Sequence, residues 1–223
     1  MNEFLISLNQ FADFTKATER GKARIVEQQL NPNPFKIIWY QLTKARIKKS
    51  IQHQGDLTPI YEALEILKNR TPTNPRQVSD KRISVEALNK FVKMKLPKVF
   101  RKNPYSIVTP PVKTTRVGDV IIRVAPDVVV KFEVDGKVFL GAIKIHVSKN
   151  KPFDYSQSLM ISTILYKYLN EIKKEDEFVD PNLCFSLDIF GDRIVSAPAN
   201  IDVALSEVER NCEEIKAIWG DIV

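Results

Sequence analysis

Apolar positions recur at helical spacing through most of the first hundred residues. In FLISLNQFADFTKATERGKARIVEQQL they run from Phe4 and Leu8 through Phe11 and Phe14, predicting a helix with Gly21 as its weak point. Asn31-Pro-Asn-Pro34 breaks that pattern, and a second helix is expected from Pro34 through FKIIWYQLTKARIKKSIQ. Phe35, Ile38, Trp39 and Leu42 make its apolar stripe. Gly55-Asp56 ends it, and Thr58-Pro-Ile-Tyr-Glu62 reads as a cap, a first-turn proline and an acid opening PIYEALEILKNR. Thr71 to Pro75 reads as a loop. A further helix is expected from Ser84, with Glu86 in its first turn, and Pro97 stops it. Pro104, Pro110 and Pro111 mark a linker-like approach to the second half.

The period then changes. Residues 117–147 are rich in Val and Ile and contain Asp135-Gly136, a strong hairpin signal. An amphipathic helix follows over DYSQSLMISTILYKYLNEI. A second hairpin, CFSLDIF-GD-RIVSA, has Gly191-Asp192 at its tip, and IDVALSEVERNCEEIKAIW closes as a helix. Helices, hairpin, helix, hairpin, helix is an α/β order with a mixed sheet flanked by helices. The expected division is a helical basic region over residues 1–103 and an α/β core over 104–223, with one continuous domain as the alternative.

Charge sharpens that division. The chain of 223 residues carries net charge +7, but residues 1–116 hold 22 Lys/Arg against 9 Asp/Glu, and residues 117–223 hold 12 against 18. Lys and Arg concentrated on one surface favour a polyanionic partner, because they release counterions on meeting phosphate. DNA is the expected partner, RNA stays open, and an acidic protein partner is the alternative. Lys44, Arg46, Lys48, Lys49, Lys93, Lys95, Arg101 and Lys102 are the candidate phosphate contacts, although a lysine on a helix face is usually only solvated. No stretch of about 20 apolar residues could span a membrane. The two cysteines, Cys184 and Cys212, lack metal-ligand spacing, and Glu3 with no basic run before an apolar segment argues against a secretory leader. The cytoplasm is the default expectation. With 7 glycines and no Walker, GxGxxG, HExxH or GxSxG pattern, nucleotide-driven and serine-hydrolase chemistry are poor readings.

Taking Asp135-Gly136 as a two-residue loop fixes the register, so that paired residue numbers sum to 271. Asp127 and Lys144 should then be cross-strand neighbours on one face. Both stand in otherwise apolar runs, where a charge needs a reason. Pro126-Asp127, the hairpin and Gly141-Ala142-Ile143-Lys144 resemble the PD-(D/E)XK nuclease superfamily, which has a restriction-endonuclease-like fold. The helix beginning near Gln157 and the strands after it follow the order of the RecB-like branch, and the resemblance covers roughly residues 117–198. It implies Mg²⁺-dependent phosphodiester hydrolysis, with Mn²⁺ as substitute. Asp127 would be a metal ligand, and Lys144 would orient or activate the attacking water.

The sequence departs from that pattern where the second acid belongs, two residues before Lys144, because Ala142 stands there. Glu133 shares the expected face but lies six residues from Asp127, roughly 20 Å along the strand. His146 lies two residues beyond Lys144 and is a candidate metal or phosphate contact, with a strand-end surface histidine as the plainer reading. Asp119, Glu62, Glu65 and Glu86 are other candidate acids. Gln157 matches a glutamine of the RecB-like helix, but the tyrosine expected four residues on is Ile161, and Tyr166 and Tyr168 do not restore the spacing. Ala142 leaves three readings: a degenerate member kept for binding, an engineered acid-to-alanine change, or an acid supplied from elsewhere. The functions carried forward are a nuclease-related DNA-processing protein, a catalytically degenerate nucleic-acid-binding fold, and a protein-interaction module.

Overall fold

The computed structural model describes residues 4–30 and 40–222. Within them the chain is mixed α/β, with eight helices and two mixed sheets. No helix among the described residues is long and apolar enough to cross a membrane.

The larger sheet has the order β2-β5-β6-β7-β8, from strands Tyr105–Ile107, Val128–Val134, Lys137–His146, Glu177–Asp188 and Arg193–Ser196. β5 and β6 form the expected hairpin, and their register sums to 271 from Val134↔Lys137 to Val128↔Ile143. Asp135 and Gly136 have φ of 51° and 71°, so both turn residues are left-handed, as this tight turn requires. β6 and β7 run parallel, joined by the long helix α7 (Tyr155–Ile172), and β8 folds back antiparallel on β7. A bulge interrupts the β6–β7 register at Gly141. A Cβ there would lie 2.7 Å from both the Cβ and the carbonyl of Leu183, so only glycine permits this approach.

Residues 117–147 are not one hairpin. Their first part belongs to a second sheet, β1-β4-β3, in which β3 (Thr114–Val117) and β4 (Val120–Arg123) pair around Gly118-Asp119. Its third strand, β1 (Phe4–Ser7), runs parallel to β4 and comes from a segment expected to be helical. The single N-terminal helix is in fact β1 followed by α1 (Leu8–Phe14) and α2 (Glu19–Leu30), which break between Thr15 and Thr18. Ser7 ends the strand and caps α1, its hydroxyl accepting from the Gln10 amide.

α3 is described over Gln41–Gln52; the start expected at Pro34, and the stripe residues Phe35, Ile38 and Trp39, lie outside the described residues. α4 spans Thr58–Asn69, where the side-chain cap comes from Asp56, which accepts from the Thr58 amide and hydroxyl. α5 covers Pro75–Lys93 and starts nine residues before Ser84, capped by Asn74 with Pro75 in its first turn; Ser84 is buried in mid-helix. α6 is the short Lys98–Lys102, and α8 (Ile201–Ile222) closes the chain.

Two apolar cores lie on the two faces of the large sheet. Leu140 and Ala142 of β6 join a core that also holds Phe11, Phe14, Ile161, Leu165, Tyr168, Val208 and Trp219. Ile143 and Ile145 join the other, with Ile47, Ile51, Ile60, Leu88 and Phe100. That alternation follows from the two-residue period of a strand. Both cores draw residues from either side of the boundary expected at 103/104: residues 4–30 pack with the C-terminal half, and α3–α6 pack on β5–β7.

Candidate functional site

The charged side chains that stood out in apolar strands collect at one end of the large sheet, where β5 begins and the parallel strands β6 and β7 end. Regular pairing stops at Val128↔Ile143. The Asp127 amide donates to the carbonyl of Ile143, the residue Val128 already faces, so the ladder slips just before the position that would pair Asp127 with Lys144. The direct ion pair is replaced by a wider arrangement. Asp127 Oδ2 accepts from the Ile145 amide at 2.7 Å, and Oδ1 is held by Lys44 Nζ of α3 at 3.0 Å.

Lys144 is buried, with 8% of its surface exposed, and its ammonium donates to the carbonyls of Val124 and Ala125 at 2.8 and 2.7 Å. Ala125 has φ of 38°, a strained region for a residue with a Cβ, on the turn that carries these carbonyls. Burial lowers the Lys144 pKa to about 8; the charge of Asp127 opposes this, and that of Lys44 adds to it. Lys44 belongs at the centre of this cluster, where it grips Asp127, and not on a free phosphate-contacting face.

His146 is half-buried and not a plain surface residue. Its ring stacks on Phe153 with centroids 3.6 Å apart, and Nε2–H donates to the Lys151 carbonyl at 2.8 Å. Burial pushes its pKa down, while the fields of Asp188 and Asp13 push it up. Asp188, opposite His146 on β7, is fully buried. Oδ1 accepts the amides of Phe190 and Gly191, at 3.1 and 3.0 Å, and Oδ2 accepts that of Phe153. Asp188 therefore fixes the β7–β8 turn and the approach to α7. Sequence reasoning passed over Asp188 and Asp13. Asp188 carried the signal that picked out Asp127 and Lys144, a charge inside an apolar strand; Asp13, on the amphipathic α1, carried none.

Ala142 pairs with Val129, has 0% exposure and packs in the core with α7. The other candidate acids are engaged elsewhere: Glu62 with Arg46 at 3.1 Å, Glu86 with Lys149 at 2.5 Å, Asp119 with Lys216 at 2.6 Å and Glu65 with Lys68 at 3.8 Å. Glu133 is exposed near the far turn of the hairpin. Among the described residues, no three His, Cys, Asp or Glu side chains form a group able to hold a metal ion. Both oxygens of Asp127 are bonded within the protein, and His146 is turned to a carbonyl.

Gln157 is structural. Its carbonyl accepts the Asp154 amide, closing the capping box of α7, and its Nε2 donates to Ala12 at 3.0 Å, tying α7 to α1. Of the expected phosphate contacts, Arg46 is paired with Glu62, and Arg101 Nε donates to the Leu96 carbonyl at 3.1 Å. Lys49, Lys93, Lys95 and Lys102 are exposed and Lys48 partly so, with no acidic partner among the described residues. Lys48 lines a cavity of about 250 Å³ that reaches Asp127. No protein-family model matches the chain, and no curated protein is similar to it.

Proposed function

We propose that this chain is a nuclease-related, DNA-directed protein that binds nucleic acid without cutting it, its hydrolytic centre reduced to a fixed electrostatic scaffold. One observation carries the reading: where the second acid would stand, Ala142 is fully buried in apolar packing. A carboxylate there would enter a core, at a cost of several kcal/mol. The remaining groups are consumed internally. Asp127 is neutralised by Lys44 and an amide, and Lys144 is bound to two carbonyls, so neither presents a free charge to a phosphate.

Binding is supported by the lysines left over. Lys48, Lys49, Lys93, Lys95 and Lys102 point to a polyanion, and the basic first half supplies the field that would draw it in. The test is fluorescence anisotropy with labelled single-stranded DNA, duplex DNA and RNA over a range of salt. Affinity should fall linearly on a log–log plot, with a slope of about −0.7 to −0.9 per phosphate neutralised, and Lys93→Ala or Lys95→Ala should each shallow it by about one contact or less. Affinity that ignores salt, or an absence of binding, would overturn the reading in favour of a protein partner.

A further inference from the structure

The cavity beside Asp127 has a chemistry of its own. α3 presents Lys44, Lys48 and Gln52 at successive i, i+4 positions, which stack on one helix face. The first grips Asp127; the other two line the cavity. Lys113 lines it as well. The Lys113 backbone is anchored there, since its carbonyl accepts the amides of Val124 and Ala125 at 2.9 and 3.1 Å. Thr109 adds a hydroxyl, and Val108 and Val129 contribute apolar wall.

The charges do not balance. Asp127 is the cavity's one carboxylate among the described residues, and it is already matched by Lys44 and the Ile145 amide. Lys48 and Lys113 have no acidic partner among those residues, so two of the residues lining this space of about 250 Å³ carry uncompensated positive charge. A phosphate monoester carries about −1.5 to −2 at neutral pH, which matches two ammonium groups better than the single charge of an internal diester. The volume is below the roughly 300 Å³ where drug-sized sites begin, room for one phosphate and part of its sugar.

We propose that this cavity binds the terminal phosphate monoester of a nucleic-acid strand, with Lys48 and Lys113 as its anion contacts. The strand-end assignment rests on the nucleic-acid reading above; the phosphate chemistry does not.

The experiment uses the full chain and one oligonucleotide sequence in three forms: 5′-phosphate, 3′-phosphate and hydroxyl at both ends. One phosphorylated form should bind about tenfold more tightly than the hydroxyl form, the gain expected from added charge-assisted hydrogen bonds. The ratio should fall to near one in Lys48→Ala/Lys113→Ala, whatever happens to absolute affinity. Lys93→Ala/Lys95→Ala should weaken all three forms and keep the ratio. Equal binding of the three forms by the unmodified chain, or a ratio that survives Lys48→Ala/Lys113→Ala, overturns the proposal. Should no oligonucleotide bind, the nucleic-acid reading falls, and calorimetry with a nucleoside monophosphate and with inorganic phosphate decides the cavity by itself. Binding abolished by Lys48→Ala/Lys113→Ala upholds an anion site, and no binding removes it.

Discussion

Replacing Lys144 by Met should change how stability responds to pH. In the folded chain the buried ammonium has its pKa lowered to about 8 from an ordinary 10.5, chiefly by desolvation. The unfolded chain therefore holds more protons between those two values, and stability must rise with pH across that window. Below pH 8 both states are protonated and the cost of burying the charge is present in full. The gap corresponds to about 3 kcal/mol at 1.36 kcal/mol per pH unit, with roughly 2 kcal/mol of it recovered between about pH 7 and pH 10. Met keeps the length of the side chain and removes the proton. Urea unfolding of both proteins at several pH values isolates the term by subtraction. Tyr105 and Tyr168, whose hydroxyls burial raises to about 12, weaken the fold at higher pH, but they do so equally in both proteins and cancel. The native chain should gain roughly 2 kcal/mol relative to Lys144→Met over this range. Stability curves that stay parallel would refute the buried, desolvated lysine.

Three other substitutions probe the same scaffold. Ala142→Glu should destabilise the fold by about 3–5 kcal/mol in chemical denaturation, because the position is fully buried against α7, and it should not confer cleavage. Gly141→Ala should cost about 2 kcal/mol or more, since its Cβ would sit 2.7 Å from Leu183, and the loss should appear as a lower denaturation midpoint. Asp188→Asn replaces an acceptor of three backbone amides with a weaker one, so a loss of about 2 kcal/mol is expected, with faster amide exchange at Phe153, Phe190 and Gly191.

Legibility in the sequence followed the range of the interactions. Asp135-Gly136 dictates a local turn, and one turn sets a register for seven pairs, so the β5–β6 ladder was readable down to Val128. It failed one residue on, at Asp127, where the left-handed Ala125 and Pro126 take the chain off the strand path. β1 was not readable, because Phe-Leu-Ile-Ser becomes a strand only by pairing with β4, more than a hundred residues away. The start of α5 had its signals in Asn74 and Pro75; Ser84 with Glu86 imitated a second cap, although burial of Ser84 shows that the helix runs through it. The candidate site was half visible. Unusual charges in apolar strands marked Asp127 and Lys144, but the Lys44–Asp127 pair joins a helix to a sheet and left no local trace.

The arrangement is coherent as a scaffold. A strained turn presents two carbonyls to Lys144, Lys44 closes Asp127 from α3, and Asp188 fixes the neighbouring turn. Each group meets its need for a partner inside the protein, and the proposed binding falls to the unpaired lysines outside it. The most direct measurement is a denaturing gel of end-labelled single- and double-stranded DNA, incubated with saturating protein and Mg²⁺ or Mn²⁺, beside a native gel of the same samples. The account predicts DNA that is shifted on the native gel and full-length on the denaturing one. Metal-dependent shortening that disappears in Asp127→Ala and Lys144→Ala would contradict it.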